Sequence, residues 1–193
     1  MPRPLARRAP LALLLGATAL VASCSGTIAQ AAAPLVTQGV LAANGPAVTY
    51  DPAAAPVGAR VAVHVTPHRG ATTATFRVEG MVPDRGYAVH AHVRPCGPTG
   101  ADAGPHHQDR IDPAATPQKP SADPAYANPR NEIWLDLRTD ATGAGTATTT
   151  VPFAFTDRAP ESVVIHEKEM TATAHGQAGT AGGRLACLTS VWR

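Results

Sequence analysis

The chain has few aromatic residues, no helical periodicity and no long hydrophobic run. Its 193 residues hold three Phe, three Tyr and two Trp, so the core must rest mainly on Val, Leu, Ile and Ala. No stretch carries apolar residues at helical spacing between capping residues, which excludes a helical domain. The apolar run at residues 11–21 is too short to cross a bilayer. Cysteine is scarce: there are three, an odd number that leaves one thiol to explain. Charge of one sign is not in excess either. Residues 1–23 hold three of the 16 Lys and Arg and none of the 14 Asp and Glu, so the remainder carries 13 − 14 = −1. That balance gives no argument for a nucleic-acid partner.

What is there begins with a leader. Arg3, Arg7 and Arg8 precede the apolar run, the layout of an export signal. Val21-Ala22-Ser23-Cys24 resembles a bacterial lipobox, in which the chain is cut before the cysteine and the cysteine takes a lipid. The other reading is an ordinary secretory signal that leaves Cys24 in a tail. Either way the chain is expected to be exported, and the lipobox reading places it on the outer face of the bacterial cell membrane. Residues 24–43 are rich in Ala, Gln and Thr and read as a flexible tether. Residues 44–193, about 150 in all, make one domain.

That domain reads as a series of short alternating segments. Val61, Val63 and Val65 share one face of a strand over residues 60–66, and Phe76 and Val78 are in phase over residues 71–82. A weak first strand covers residues 47–50. Ile133, Leu135 and Leu137 share a face over residues 132–137, and Val151, Phe153 and Phe155 over residues 146–155. Further strands are expected at residues 162–166 and 184–192. Turn signals lie at Pro83-Asp84-Arg85-Gly86 and Asp140-Ala141-Thr142-Gly143. The pattern is all-β, a sandwich or Greek-key barrel. His64, His68 and His175 lack any partner pattern and are expected in solvent.

The stretch with most chemistry is residues 86–107. Tyr87, Val89, Ala91 and Val93 alternate with His90 and His92, so both imidazoles lie on one strand face and can reach one ion. A Gly/Pro loop then delivers His106 and His107. These motifs, H-A-H at 90–92, Cys96, A-G-P-H at 103–106, V-V-I-H-E-K at 163–168 and G-G-R-L-A-C at 182–187, resemble the copper/zinc superoxide dismutase family in order and spacing. The resemblance implies an eight-stranded Greek-key β-barrel and disproportionation of superoxide anion. It implies copper ligands at His90, His92, His106 and His166, with His106 also catalytic, and an anion guide at Arg184. It joins Cys96 to Cys187 as a disulfide, with Cys24 left for the lipid.

The chain departs from the two-metal members of that family. After His106 the only further histidine before Glu132 is His107, and the loop from His166 to Cys187 is short. Both features resemble the copper-only branch, so copper without zinc is expected. Something other than zinc then has to orient His106. Glu132 and Asp136 have the right strand parity, although either could instead be a solvated acid. The competing reading is an exported copper-buffering lipoprotein with the same fold and no turnover. A sandwich used for adhesion or structure would make all four ligand positions coincidental.

Overall fold

The computed structural model describes residues 33–116 and 118–193. Cys24 and the leader lie outside them. The described chain is all-β, a sandwich of antiparallel sheets. Ten strands form: β1 Leu35–Val40, β2 Ala47–Thr49, β3 Arg60–His68, β4 Ala71–Glu79, β5 Gly86–Tyr87, β6 Val89–His92, β7 Leu137–Arg138, β8 Gly145–Val151, β9 Ser162–His166 and β10 Arg184–Thr189. One four-stranded sheet has the order β1-β3-β4-β8 and the other β2-β10-β9-β6. β5 and β7 make a separate two-stranded ribbon.

Alternation decides which side chains meet between the sheets. Val61, Val63 and Val65 from β3 and Ala74, Phe76 and Val78 from β4 are buried against Val89, Ala91, Val163, Ile165, Ala186 and Leu188 of the other sheet. Tyr87 is fully buried, and its hydroxyl donates to the Ala54 carbonyl at 2.7 Å, which removes the cost of an unpaired donor. The outer face of the first sheet is polar. There Thr73 meets Thr150 and Thr75 meets Thr148 across the strands, each pair at 2.9 Å. His64 lies half-exposed on that same face, and His68 and His175 are exposed, as their sequence positions suggest.

Several boundaries differ from those expected. The tether does not reach Ala43, because residues 35–40 form β1 and pair with β3 from Leu35↔Val65 to Val40↔Arg60. β1 hides its period because its inward positions are Leu35, Thr37 and Gly39. A Cβ on Gly39 would stand 2.6 Å from that of Ala47, so the sheet contact forbids a side chain there. The strand expected at residues 132–137 is regular only at Leu137–Arg138. Its first part runs beside β6, with the Ala91 N–H donating to Ile133 and the Leu135 N–H to Val89. The segment around the histidines is divided at Ala88, whose N–H turns to the Lys168 carbonyl at 2.7 Å. β8 ends at Val151 and β10 at Thr189, short of Phe155 and Trp192.

Two devices fix the region that matters most. Cys96 and Cys187 form a disulfide, S–S 2.04 Å, that ties the loop after β6 to β10. A bulge in β10 between Arg184 and Ala186 shifts the register so that Arg184 stands opposite His166.

Candidate metal centre

His90 and His92 project from one face of β6, His166 ends β9, and His106 is carried in by the segment beside β6, where it faces His92 in an isolated bridge. The four rings converge. Centroids of His90 and His106 are 4.0 Å apart, His92 and His106 4.8 Å, and His106 and His166 5.7 Å. One nitrogen from each ring lies within 4.8 Å of all the others, so the four together could hold a metal ion. Among the described residues, no other group of three or more His, Cys, Asp or Glu side chains converges in this way.

The hydrogen bonds behind the rings set which nitrogen is free. His92 Nδ1 donates to the Gly104 carbonyl at 2.9 Å, which leaves Nε2 a lone pair. His106 Nδ1 donates to Glu132 Oε2 at 2.9 Å, again leaving Nε2. His90 is held the other way round. The Thr171 hydroxyl donates to Asp136 Oδ1 at 2.8 Å, so it can only accept from His90 Nε2, 2.7 Å away. His90 Nδ1 is then a buried lone pair with no partner. His92 Nε2 and His166 Nε2 face each other at 3.2 Å.

His90, His92 and His166 are kept neutral. Burial, then the neighbouring histidines and Arg184, hold His90 and His92 well below the usual histidine range. Burial does the same to His166, which falls to about 3, with His106 and Arg184 adding to it. The Gly182 backbone faces that ring and acts in the opposite direction without a well-formed bond to Nδ1. Neutral, buried, pre-oriented imidazoles are what a divalent transition metal requires of its ligands.

Glu132 is fully engaged. Beside His106 it accepts from the Trp134 indole at 2.7 Å and from the Gln108 amide at 2.8 Å, and it is 2 % exposed. It is the carboxylate that orients His106. Asp136, expected as an equal candidate for that role, serves His90 through Thr171 instead. It also accepts from the backbone of Val89 and Thr171, which locks the start of β6. Parity explains the division: Glu132, Trp134 and Asp136 point to the histidine side while Ile133 and Leu135 enter the core. Trp134 could have been found by that parity. Thr171 and Gln108 could not, since neither lies in a periodic segment with the ligands.

His107 takes no part. It is buried against Phe153 and Phe155, both its nitrogens lack partners, and burial lowers its pKa to about 4. Arg184 does take part. Its guanidinium donates to the Gly100 carbonyl at 2.6 Å and to Gly104 at 2.7 Å. Gly104 is thus shared by Arg184 and His92, which places the cation beside the cluster. Arg184, His106 and His166 line a cleft of about 560 Å³ together with Ile111 and Pro120.

No protein-family model matches this chain, and no curated protein matches it.

Proposed function

We propose that this chain is a superoxide dismutase that uses copper without zinc, carried on an eight-stranded Greek-key barrel. The observation that supports this most is the placing of Arg184. A fixed cation hangs from the same carbonyl as His92 and opens on the same cleft as His106 and His166. A copper store has no use for an anion guide at that point, whereas an enzyme acting on a small anion does. Four imidazoles and no thiolate, with both domain cysteines in the disulfide, suit copper and zinc alike, and the resemblance to the copper/zinc superoxide dismutase family favours copper. Behind His106, where a second metal would need ligands, stand Glu132 and the donors Trp134 and Gln108.

Two superoxide anions and two protons give O₂ and hydrogen peroxide. Copper, when held by His90, His92, His106 and His166, supplies the one-electron oxidation and reduction this requires. Arg184 draws the anion into the cleft and orients it. His106 holds or releases a proton at Nε2 while Nδ1 stays bonded to Glu132, so the ring keeps its place in both states. Asp136 and Thr171 hold His90 still through the cycle.

The deciding experiment combines metal analysis with a superoxide-consumption assay on the full chain reconstituted with both metals. About one copper and negligible zinc per chain are expected, with rapid consumption of superoxide. Arg184→Ala should keep its copper while the second-order rate falls about tenfold, as loss of about 1.4 kcal/mol of attraction implies. Tight copper binding with no consumption, unaltered in Arg184→Ala, would leave the copper-buffering reading in its place. Stoichiometric zinc would remove the copper-only part.

The proposed location is the outer face of the bacterial cell membrane, through a lipid on Cys24. Replacing Cys24 with serine should move the protein from the membrane to the soluble fraction on ultracentrifugation. Retention of Cys24→Ser on the membrane would show that the lipobox reading is wrong.

A further inference from the structure

Arg184 is not the only cation on the turn that holds it. The single 3-10 turn Gly100–Ala103 and the Gly104 that follows present their carbonyls to two guanidinium groups. Arg184 takes Gly100 and Gly104. Arg94, just beyond β6, donates Nε to the Asp102 carbonyl at 2.9 Å and Nη2 to Ala101 at 3.4 Å. The two side chains approach Gly104 together: a Cβ placed there would meet Arg94 Nε at 3.1 Å, while its carbonyl is the acceptor for Arg184. Gly104 has φ 73°, so the turn both needs a glycine and uses the space it leaves.

Neither guanidinium is tied up in an ion pair. Among the described residues no carboxylate lies within ion-pair distance of Arg94 or Arg184. The nearby carboxylate of Asp102 accepts from the Thr99 N–H and hydroxyl at 2.7 and 2.9 Å; these bonds, and more weakly the charge of Arg94, lower its pKa, so it offsets part of the Arg94 field without pairing with it. Each guanidinium spends two of its five N–H groups on carbonyls and keeps the rest. Burial is the main influence that lowers the pKa of Arg184; repulsion from Arg94 adds a smaller effect in the same direction.

Both arginines line a second cavity of about 390 Å³, together with Gly104, Pro105 and Pro120. Pro105, Pro120 and Arg184 also line the cleft that contains His106 and His166. The two cavities are therefore neighbours, with Arg184, Pro105 and Pro120 on the wall of each. The exposed Arg94 lines the outer of the two, and His106 and His166 line the other.

The geometry points to Arg94 as the outer member of a two-arginine approach route for a small monovalent anion, with Arg184 as the inner member. This inference rests on the dismutase reading for the identity of the anion. A chain whose charge outside the leader is near zero has little long-range field to steer an anion, so steering falls to a local pair. Arg94 is a positioning residue: it meets the anion in transit and touches no reacting atom.

The test uses the copper-loaded full chain, with azide as the anion probe and the visible spectrum as readout beside the superoxide assay. Arg94→Gln should raise the azide Kd about two- to threefold at low salt and lower the superoxide rate by a similar factor. It should also flatten the dependence of both on ionic strength, with copper content unchanged. Arg94→Lys restores the charge but not the paired carbonyl bonds, so recovery of affinity and salt slope in Arg94→Lys separates steering from support of the turn. If the parent consumes superoxide and Arg94→Gln alters neither azide affinity nor salt slope, the route is wrong and the enzyme stands. Recovery absent in Arg94→Lys also overturns it, because the effect is then structural. If the parent consumes no superoxide but azide affinity still follows the charge at position 94, the route stands and the dismutase reading fails.

Discussion

Replacing Cys96 and Cys187 together by serine should lower the free energy of unfolding by about 4 kcal/mol, the range expected for a long closed loop. The two residues are 91 apart in sequence, so the cross-link removes much of the conformational freedom of the unfolded chain. The native side adds a second reason. Cys187 is buried in β10 beside Ala103 and Val164, and Tyr50 and Cys96 pack against that cluster. The tied loop also carries the carbonyls of Gly100 and Gly104, which hold Arg184 and His92. Urea unfolding of the metal-free variant and parent, both at pH 7.5, measures the difference. A change under about 1 kcal/mol would show that the entropic account does not apply here. Loss of copper affinity in the folded variant, at a smaller cost than the loss in stability, would show how far the loop positions His92.

The features legible in the sequence were those with a period or a motif. The valine triplet of β3 and the two histidines of β6 follow strict alternation, so their faces could be assigned before any contact was known. The bond from Glu132 to His106 was foreseeable in kind, because a ligand imidazole needs an acceptor behind it, and strand parity narrowed the choice to two acids. Choosing between them required knowing that Thr171 lies behind His90, a contact between residues 81 apart. β1 is not legible in the sequence because a polar and a glycine position occupy its inward face, so that hydropathy shows no period of two. The segment at residues 132–137 reads as a full strand in the sequence because its apolar residues alternate. It does have the side-chain alternation of a strand, but its backbone makes only scattered bonds to β6 and to Gln108.

The metal-free protein should lose stability steeply as pH falls below about 6.5. His90, His92, His107 and His166 are all held below the ordinary histidine value by burial, His107 to about 4 and His166 to about 3. Above pH 6.5 these groups are neutral in both states and contribute no pH dependence. Below it the unfolded chain takes up protons that the fold refuses, so stability falls as pH falls. The loss continues until the folded values are reached. Each group contributes up to about 1.4 kcal/mol per pH unit, so by pH 5.5 the four together remove on the order of 5 kcal/mol. That is comparable with the whole stability of many domains, and acid unfolding is expected near pH 5. The carboxylates act in the same direction only at lower pH, which leaves this window to the histidines. Bound copper should move the acid midpoint downward, because it holds three of these imidazoles in the neutral form the fold requires. His107 supplies an internal control. Its nitrogens have no partners and it is not a ligand, so His107→Leu should leave copper binding intact. The same substitution should reduce the proton uptake on unfolding at pH 5 by about one. Urea titrations between pH 5 and 8 on the metal-free, copper-loaded and His107→Leu proteins give the slopes. A flat stability profile between pH 6.5 and 5 in the metal-free protein would mean that the buried imidazoles accept protons without unfolding, and that the cluster is not held neutral.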